Sequence, residues 1–248
     1  MHSNKGTVLI TGASRGIGKA IAEAFAKEGY NLFLCCKNNI DSLTAFADSL
    51  ASTCGIIAET FCCDVSDEKS VSLMFEKMNT MKIGFPQIVV NNAGIAWYGL
   101  LTDMTSDEWH DIIGTNLDSV FYICKNAVPH MLQSGEGRII NISSVWGNVG
   151  ASCEVAYSAS KGGVNSFTKA LAKELAPSNI PVNAISCGVI DTEMNSSHLS
   201  EEELMDLASE IPADRLGKPE EVAELAVNLA TAPKYMTGQV ITIDGGWI

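Results

Sequence analysis

Tyr157 and Lys161 stand four residues apart in Val155-Ala156-Tyr157-Ser158-Ala159-Ser160-Lys161, a spacing that sets both side chains on one face of a helix. A phenol with a pKa near 10 neither gives nor takes a proton readily at neutral pH. An ammonium about 4 Å away would stabilise the phenolate by roughly 4 kcal/mol at an effective dielectric of 20. That is enough to lower the phenol pKa by up to about 3 units. The pair therefore points to acid–base work on an oxygen. Ser144 closes the apolar run from Arg138 to Ser143, where its hydroxyl is expected to hold a carbonyl oxygen as charge develops on it. Asn116, in Gly114-Thr115-Asn116-Leu117, is expected to anchor a water passing protons from Lys161 to solvent. Each has a plainer reading alone: surface coverage for the pair, a cap for Ser144, a kink for Asn116. Their joint order behind a glycine-rich turn is what carries the chemical one.

That turn reads Thr11-Gly12-Ala13-Ser14-Arg15-Gly16-Ile17-Gly18. Glycines let a strand bend sharply into a helix while backbone N–H groups approach a pyrophosphate. The spacing, G-x-x-x-G-x-G, differs from the G-x-G-x-x-G of ordinary dinucleotide folds, and a turn with no ligand is the alternative. The second apolar run ends Cys36-Lys37-Asn38-Asn39, without the acid that an NAD-preferring site places there. Lys37 and Arg15 are expected instead to flank a 2′-phosphate. NADPH is thus the expected cofactor, with NADH usable; two solvated cations are the alternative.

Short, near-continuously apolar runs predict buried parallel strands at Thr7 to Thr11, Asn31 to Cys36, Ile56 to Cys62, Ile88 to Asn91, Arg138 to Ser143, Val182 to Ser186 and Val240 to Ile243. Helical patterns lie between them, at Gly16 to Glu28, Ile40 to Ser52, Asp67 to Met81, Ser106 to Leu132, Val155 to Ala176 and Pro219 to Thr231. The alternation predicts an α/β fold: one Rossmann-type domain over 1–248, a doubly wound parallel sheet of about seven strands with helices on both faces. The least regular stretch, 191–218, is expected to form a lid near strand C-termini. Within it Met194, Leu199, Leu204 and Leu207 read as helix packing rather than pocket wall.

The net charge of −13 argues against a nucleic-acid partner, since no basic stripe offsets phosphate repulsion. No run approaches the roughly 20 apolar residues of a membrane span, and the N-terminal residues lack a signal-peptide pattern; a cytoplasmic protein is expected. Of eight cysteines, Cys35–Cys36 and Cys62–Cys63 end apolar runs and none forms C-x-x-C, so buried free thiols are expected. The histidines (His2, His110, His130, His198) are scattered, and no metal site is expected.

These motifs together resemble the short-chain dehydrogenase/reductase family over essentially the whole chain: Thr11 to Gly18, Asp64-Val65, Asn91-Asn92-Ala93-Gly94, Asn116, Ser144, Tyr157-x-x-x-Lys161 and Gly188-Val189-Ile190-Asp191-Thr192. The resemblance implies an NAD(P)H-dependent oxidoreductase acting on C=O, a homotetramer, and Gly12, Ser14, Arg15, Gly16, Ile17 and Gly18 at the pyrophosphate. It implies Asp64 and Val65 at the adenine and Asn91 to Gly94 at the adenosine ribose. Lys161 would also bind the nicotinamide ribose, and Ile190 and Thr192 the carboxamide beyond Gly188. Cys187 departs from the proline usual before Gly188. Within the family the chain is similar to 3-oxoacyl-acyl-carrier-protein reductases, notably at Thr237-Gly238-Gln239 and Asp244-Gly245-Gly246. Yet Ser134-Gly135-Glu136-Gly137 and Pro177-Ser178-Asn179 lack the cations that would steer an acidic carrier. Glu154, three residues before Tyr157, disfavours a greasy acyl chain and suits a cationic amine. The segment from Ser144 to Tyr157 is also similar to bacterial elongation factor P 5-aminopentanone reductases, in which Glu154 would pair an ammonium and Trp146 wall the pocket. Alternatively Glu154 faces solvent and Trp146 is packing. A ketone substrate carried on elongation factor P is the favoured reading, one carried on acyl carrier protein the close second. A non-catalytic NADPH-binding module is the remote third.

Overall fold

In the computed structural model, which describes residues 5–81, 83–196 and 200–248, the central strands send alternate side chains into two separate cores. The elements run β1 (Thr7–Thr11), α1 (Gly16–Lys27), β2 (Asn31–Cys36), α2 (Ile40–Cys54), β3 (Ala58–Cys62), α3 (Glu68–Asn79), β4 (Ile88–Asn91) and α4 (Ser106–Ile113). A π-turn (Gly114–Asp118) leads to α5 (Ser119–Ser134), β5 (Arg138–Ser144), α6 (Trp146–Val149), α7 (Val155–Leu175) and β6 (Val182–Cys187). Last come α8 (Glu193–Ser196), α9 (Glu201–Glu210), α10 (Pro219–Thr231) and β7 (Val240–Ile243).

All seven strands are parallel, in the order β3-β2-β1-β4-β5-β6-β7. Val8, Ile10, Leu32, Leu34 and Val90 face the core under α1, α2 and α10. Leu9, Phe33, Val89 and Ile139 face the core under α3, α5 and α7. Burial on both faces is why the runs are continuously apolar, and each fully buried side chain of this size stabilises by about 1.5–3 kcal/mol. The strand order reverses between β1 and β4, and the crevice outside their carboxyl ends is where such sheets bind ligands. No helix among the described residues is long and apolar enough to cross a membrane.

The single-domain, doubly wound reading holds, with differences at element ends. β3 starts at Ala58 rather than Ile56, and Ile57 is about half exposed. β5 and β6 each run one residue further, to Ser144 and Cys187, because those two residues pair with each other. The stretch 191–218 is more regular than expected, holding α8 and α9; Ser200 and Glu203 form a reciprocal cap at the start of α9. The predicted helix from Ser106 to Leu132 runs without a gap through α4, the π-turn carrying Asn116 and α5; a π-turn within a helix is a device common at functional sites. His2, His198 and Leu199 lie outside the described residues.

A buried polar chain ties the sheet to α7. Asn91 Nδ2 donates to Asn141 Oδ1 at 2.8 Å, Asn141 Nδ2 donates to Thr168 Oγ1 at 2.8 Å, and Thr168 Oγ1 donates to the Val164 carbonyl at 2.8 Å. Asn141 and Thr168 are fully buried, so removing the middle member strands its neighbours. Asn141→Ala is expected to lower stability by on the order of 3 kcal/mol, read as a drop in the urea midpoint at unchanged slope.

Candidate active site

Helix α7 places Tyr157 and Lys161 against the carboxyl ends of β5 and β6. Its approach is permitted by Gly147 in α6, where a Cβ would lie 2.6 Å from the Lys161 carbonyl carbon. Lys161 is buried at 4% exposure. Its Nζ donates to the Ile142 carbonyl at 2.9 Å and lies 5.6 Å from the centre of the Tyr157 ring. Burial pulls the ammonium down to about 8, with the neighbouring Cys187 thiol acting the other way. Tyr157 departs from expectation: its pKa is raised, not lowered. Burial is the main cause, the charges of Cys187 and Glu154 add to it, and a hydrogen bond with Ser144 opposes it. The ammonium is tied to a backbone carbonyl, so its hold on the phenol oxygen is weaker than the close contact assumed from spacing. A phenol protonated at neutral pH is what a proton donor requires.

Ser144 sits at the end of β5, accepting from the Trp146 N–H at 3.2 Å while its hydroxyl meets the phenol of Tyr157. Asn116 is buried but does not line the cleft. Its Oδ1 accepts from the Ile95 N–H at 2.8 Å, and its Nδ2 donates to the Ile95 carbonyl at 2.9 Å and to Ser160 Oγ at 3.1 Å. The side chain clamps the loop after β4, and its polar atoms are taken by protein partners. Gly94 lies between, since a Cβ there would be 3.3 Å from Asn116 Oδ1 and 3.5 Å from Lys161 Nζ.

Ser144, Tyr157 and Lys161 stand in one cleft of about 770 Å³ that continues to the glycine turn. Gly12, Ser14, Arg15, Gly16, Ile17 and Gly18 line it, as do Lys37, Asp64, Val65, Ala93, Gly94, Gly188, Ile190 and Thr192. Gly12 and Gly16 hold positive φ of 65° and 54°. A Cβ on Gly18 would come within 2.3 Å of the Gly12 carbonyl oxygen. The turn thus packs backbone on backbone, a cradle that side chains would fill, and it fits a dinucleotide pyrophosphate. Asn91 is a correction: it is absent from the cleft wall, its side chain being held in the buried chain to Asn141.

The two cations read for a 2′-phosphate line the cleft, each facing a carboxylate. Lys37 Nζ is 2.7 Å from Asp64, and Arg15 is 3.2 Å from Glu193 on α8. Burial works against the Asp64 charge, but hydrogen bonds from Lys37 and Ser66 hold its pKa below the usual range. Exposed pairs of this kind contribute little and are exchangeable for a stronger anion.

At the far end Glu154 is buried at 8% exposure. It accepts a hydrogen bond from Trp146, but burial dominates and lifts its pKa to about 7. The solvent-facing alternative for Glu154 is thereby excluded. Trp146 packs edge-on against Trp247 at 4.9 Å, and both line the cleft with Tyr98. Tyr98 and Trp247 escaped the sequence reading because both lie far along the chain from Trp146 and only the fold brings them in. Met194 and Leu207, read as packing, line the cleft too. Cys187 is buried beside Tyr157 and Lys161, its thiol pushed up to about 12 by burial.

A family model described as enoyl-(acyl carrier protein) reductase matches residues 12–248. The chain belongs to the short-chain dehydrogenase/reductase family. It is 41% identical over 97% of its length to a Thermotoga maritima protein named 3-oxoacyl-[acyl-carrier-protein] reductase FabG, covering 96% of that protein. It is 38% identical to an uncharacterized oxidoreductase of Bacillus subtilis, YmfI, over 97% of this chain and 98% of that one. A solved structure provisionally assigned as a gluconate dehydrogenase from Agrobacterium tumefaciens superposes with a TM-score of 0.93 at 32% identity, covering 98% of this chain and 96% of that one. The chain is accordingly an NAD(P)H-dependent oxidoreductase acting on CH–OH/C=O, of the 3-oxoacyl-acyl-carrier-protein reductase-like kind, and its cofactor is a nicotinamide dinucleotide.

In this short-chain reductase Glu154 carries a measurable signature. The carboxyl of Glu154 rises from 4.5 to about 7 on folding. A raised folded value means stability that is full below about pH 4.5 and lost as pH climbs through 7. Wild type is expected to lose on the order of 3 kcal/mol from this group between pH 4.5 and pH 8. Urea unfolding across that range should show Glu154→Gln without this component.

Proposed function

We propose that the protein uses NADPH to reduce a ketone on an amine-bearing substrate, in the form of a 5-aminopentanone group carried on elongation factor P. The observation that carries this reading is Glu154, a carboxyl buried in the cleft among Trp146, Tyr98 and Tyr157. An unpaired buried carboxylate is costly, and an ammonium between it and the indole and phenol faces would offset that cost.

NADPH, when bound, supplies the hydride to the carbonyl carbon. Tyr157 gives its phenolic proton to the carbonyl oxygen, which Ser144 holds through its hydroxyl. Lys161, buried with its ammonium at about 8, stabilises the phenolate left behind. Asn116 positions the loop around Gly94 through its clamp on Ile95, and the second lone pair of its Oδ1 would accept from a water relaying protons from Lys161. Arg15 and Lys37 exchange Glu193 and Asp64 for the 2′-phosphate, which favours NADPH over NADH. Ala93 and Gly94 would hold the ribose, Asp64 and Val65 the adenine, and Ile190 and Thr192 the carboxamide, all of them residues that line the cleft. Met194 on α8 and Leu207 on α9 line the cleft at its substrate end. The protein works in the cytoplasm as a homotetramer in this reading.

A second reading, reduction of 3-oxoacyl chains on acyl carrier protein, is supported by the likeness to the Thermotoga 3-oxoacyl-[acyl-carrier-protein] reductase. The two divide at Glu154. A cation binds the ionised carboxyl, so KM for an amine-bearing ketone should fall as pH rises through about 7. Glu154→Gln should raise that KM about tenfold or more and flatten its pH profile. If the variant instead retains the amine-bearing ketone and gains nothing on acetoacetyl thioesters, the amine reading fails. Tyr157→Phe should cut kcat by about 10²–10⁴ on either substrate while NADPH fluorescence titration shows binding retained.

A further inference from the structure

Four of the eight cysteines gather at the ends of two neighbouring strands. Cys35 and Cys36 end β2, and Cys62 and Cys63 end β3 or follow it. Cys36 and Cys62 are direct partners in the parallel register, so their side chains leave the same face of the sheet. Paired strands lie about 4.8 Å apart, inside the Cα separation of about 4.4–6.8 Å that a disulfide spans. The Cys62 thiol donates to the carbonyl of Lys37 at 3.4 Å; its sulfur already lies over the peptide that follows Cys36. Cys62 is exposed, whereas Cys36 is buried and lines the cleft. Cys35 and Cys63 meet in the other core and are both buried, which leaves Cys62 as the member of this group that an oxidant meets from solution.

We propose that Cys36 and Cys62 form a reversible dithiol–disulfide site at the adenosine end of the cofactor cleft. The oxidant is a hydroperoxide. The Cys62 thiolate attacks its terminal oxygen; the S–O bond forms as the O–O bond breaks, and the other oxygen leaves with a proton as alcohol or water. The Cys36 sulfur then displaces hydroxide from the sulfenic sulfur, closing the S–S bond and releasing water that carries the thiol proton. Two electrons pass from the thiols to the peroxide, and a small thiol returns them by exchange through a mixed disulfide.

The consequence follows from position. Cys36 precedes Lys37 and Cys62 stands two residues before Asp64, and these two neighbours pair at 2.7 Å across the mouth of the adenosine end. Closing the disulfide removes the Cys62 hydrogen bond to the Lys37 carbonyl and ties the two strand ends together, which resists the exchange of Asp64 for a phosphate. This effect on cofactor rests on the reading of Lys37 as a 2′-phosphate ligand; the cross-link itself does not.

Full-length protein is treated with hydrogen peroxide, capped with an alkylating reagent, and digested with trypsin without reductant. The expected product links peptides 28–37 and 38–69 and weighs two hydrogens less than their sum. It persists in Cys63→Ser and Cys54→Ser, is lost in Cys62→Ser, and is reversed by dithiothreitol. Oxidation is also expected to raise KM for NADPH severalfold in wild type, with kcat at saturating NADPH unchanged and Cys62→Ser insensitive. Absence of the linked peptides, or their survival in Cys62→Ser, overturns the site. Linked peptides with unchanged KM for NADPH and for NADH overturn the gating and leave the catalytic reading untouched. Loss of turnover in reduced Tyr157→Phe tests that reading separately.

Discussion

A positive charge held inside the protein, at the end of the sheet, sets the terms for the rest of the site. The Lys161 ammonium has almost no solvent, and it donates to the Ile142 carbonyl. An ammonium so placed gives up part of its pKa. The neighbours are arranged around that fact. Gly147 lets α7 approach closely enough to aim the side chain, and Gly94 leaves room for its end. The Asn91–Asn141–Thr168 chain keeps α7 from sliding along the sheet. Catalytic geometry here is a by-product of how a buried cation is accommodated.

The phenol answers the same environment with the opposite sign. Burial above all keeps Tyr157 protonated, whereas the ammonium alone would have favoured its ionisation. For reduction, a proton donor poised in a dry site is the productive state, and the charge that would stabilise its conjugate base is already in place. Glu154 extends this logic to the substrate end. Its carboxyl near 7 is tolerable only because it loses its charge readily, and a cation placed beside it would restore that charge. Such a pocket discriminates by the cost of an unpaired ion, which is a steeper criterion than fit to an apolar wall.

Strand periodicity and the order of motifs made the architecture legible in advance: continuous apolar runs belong to strands covered on both faces, and the glycine turn needs its residue types whatever surrounds it. Tyr157, Lys161, Ser144 and the glycine positions were readable because local spacing places them. Asn91 was misplaced because a side chain at a strand end can point into the core or the cleft, and nothing local decides which. Asn116 was located by its motif, but its clamp on Ile95, twenty-one residues away in sequence, was not.

What the chain's own order of residues determined, then, is the parallel sheet, the cradle at its switch point and the identity of the acid–base pair, since these follow from periodicities of two and about 3.6 residues. Only the tertiary structure decided the direction of the phenol's pKa shift, the meeting of Trp146 with Trp247, the burial of Glu154 and the alignment of Cys36 with Cys62. Those depend on dielectric environment and on contacts between segments remote in sequence, and neither quantity is written in local spacing.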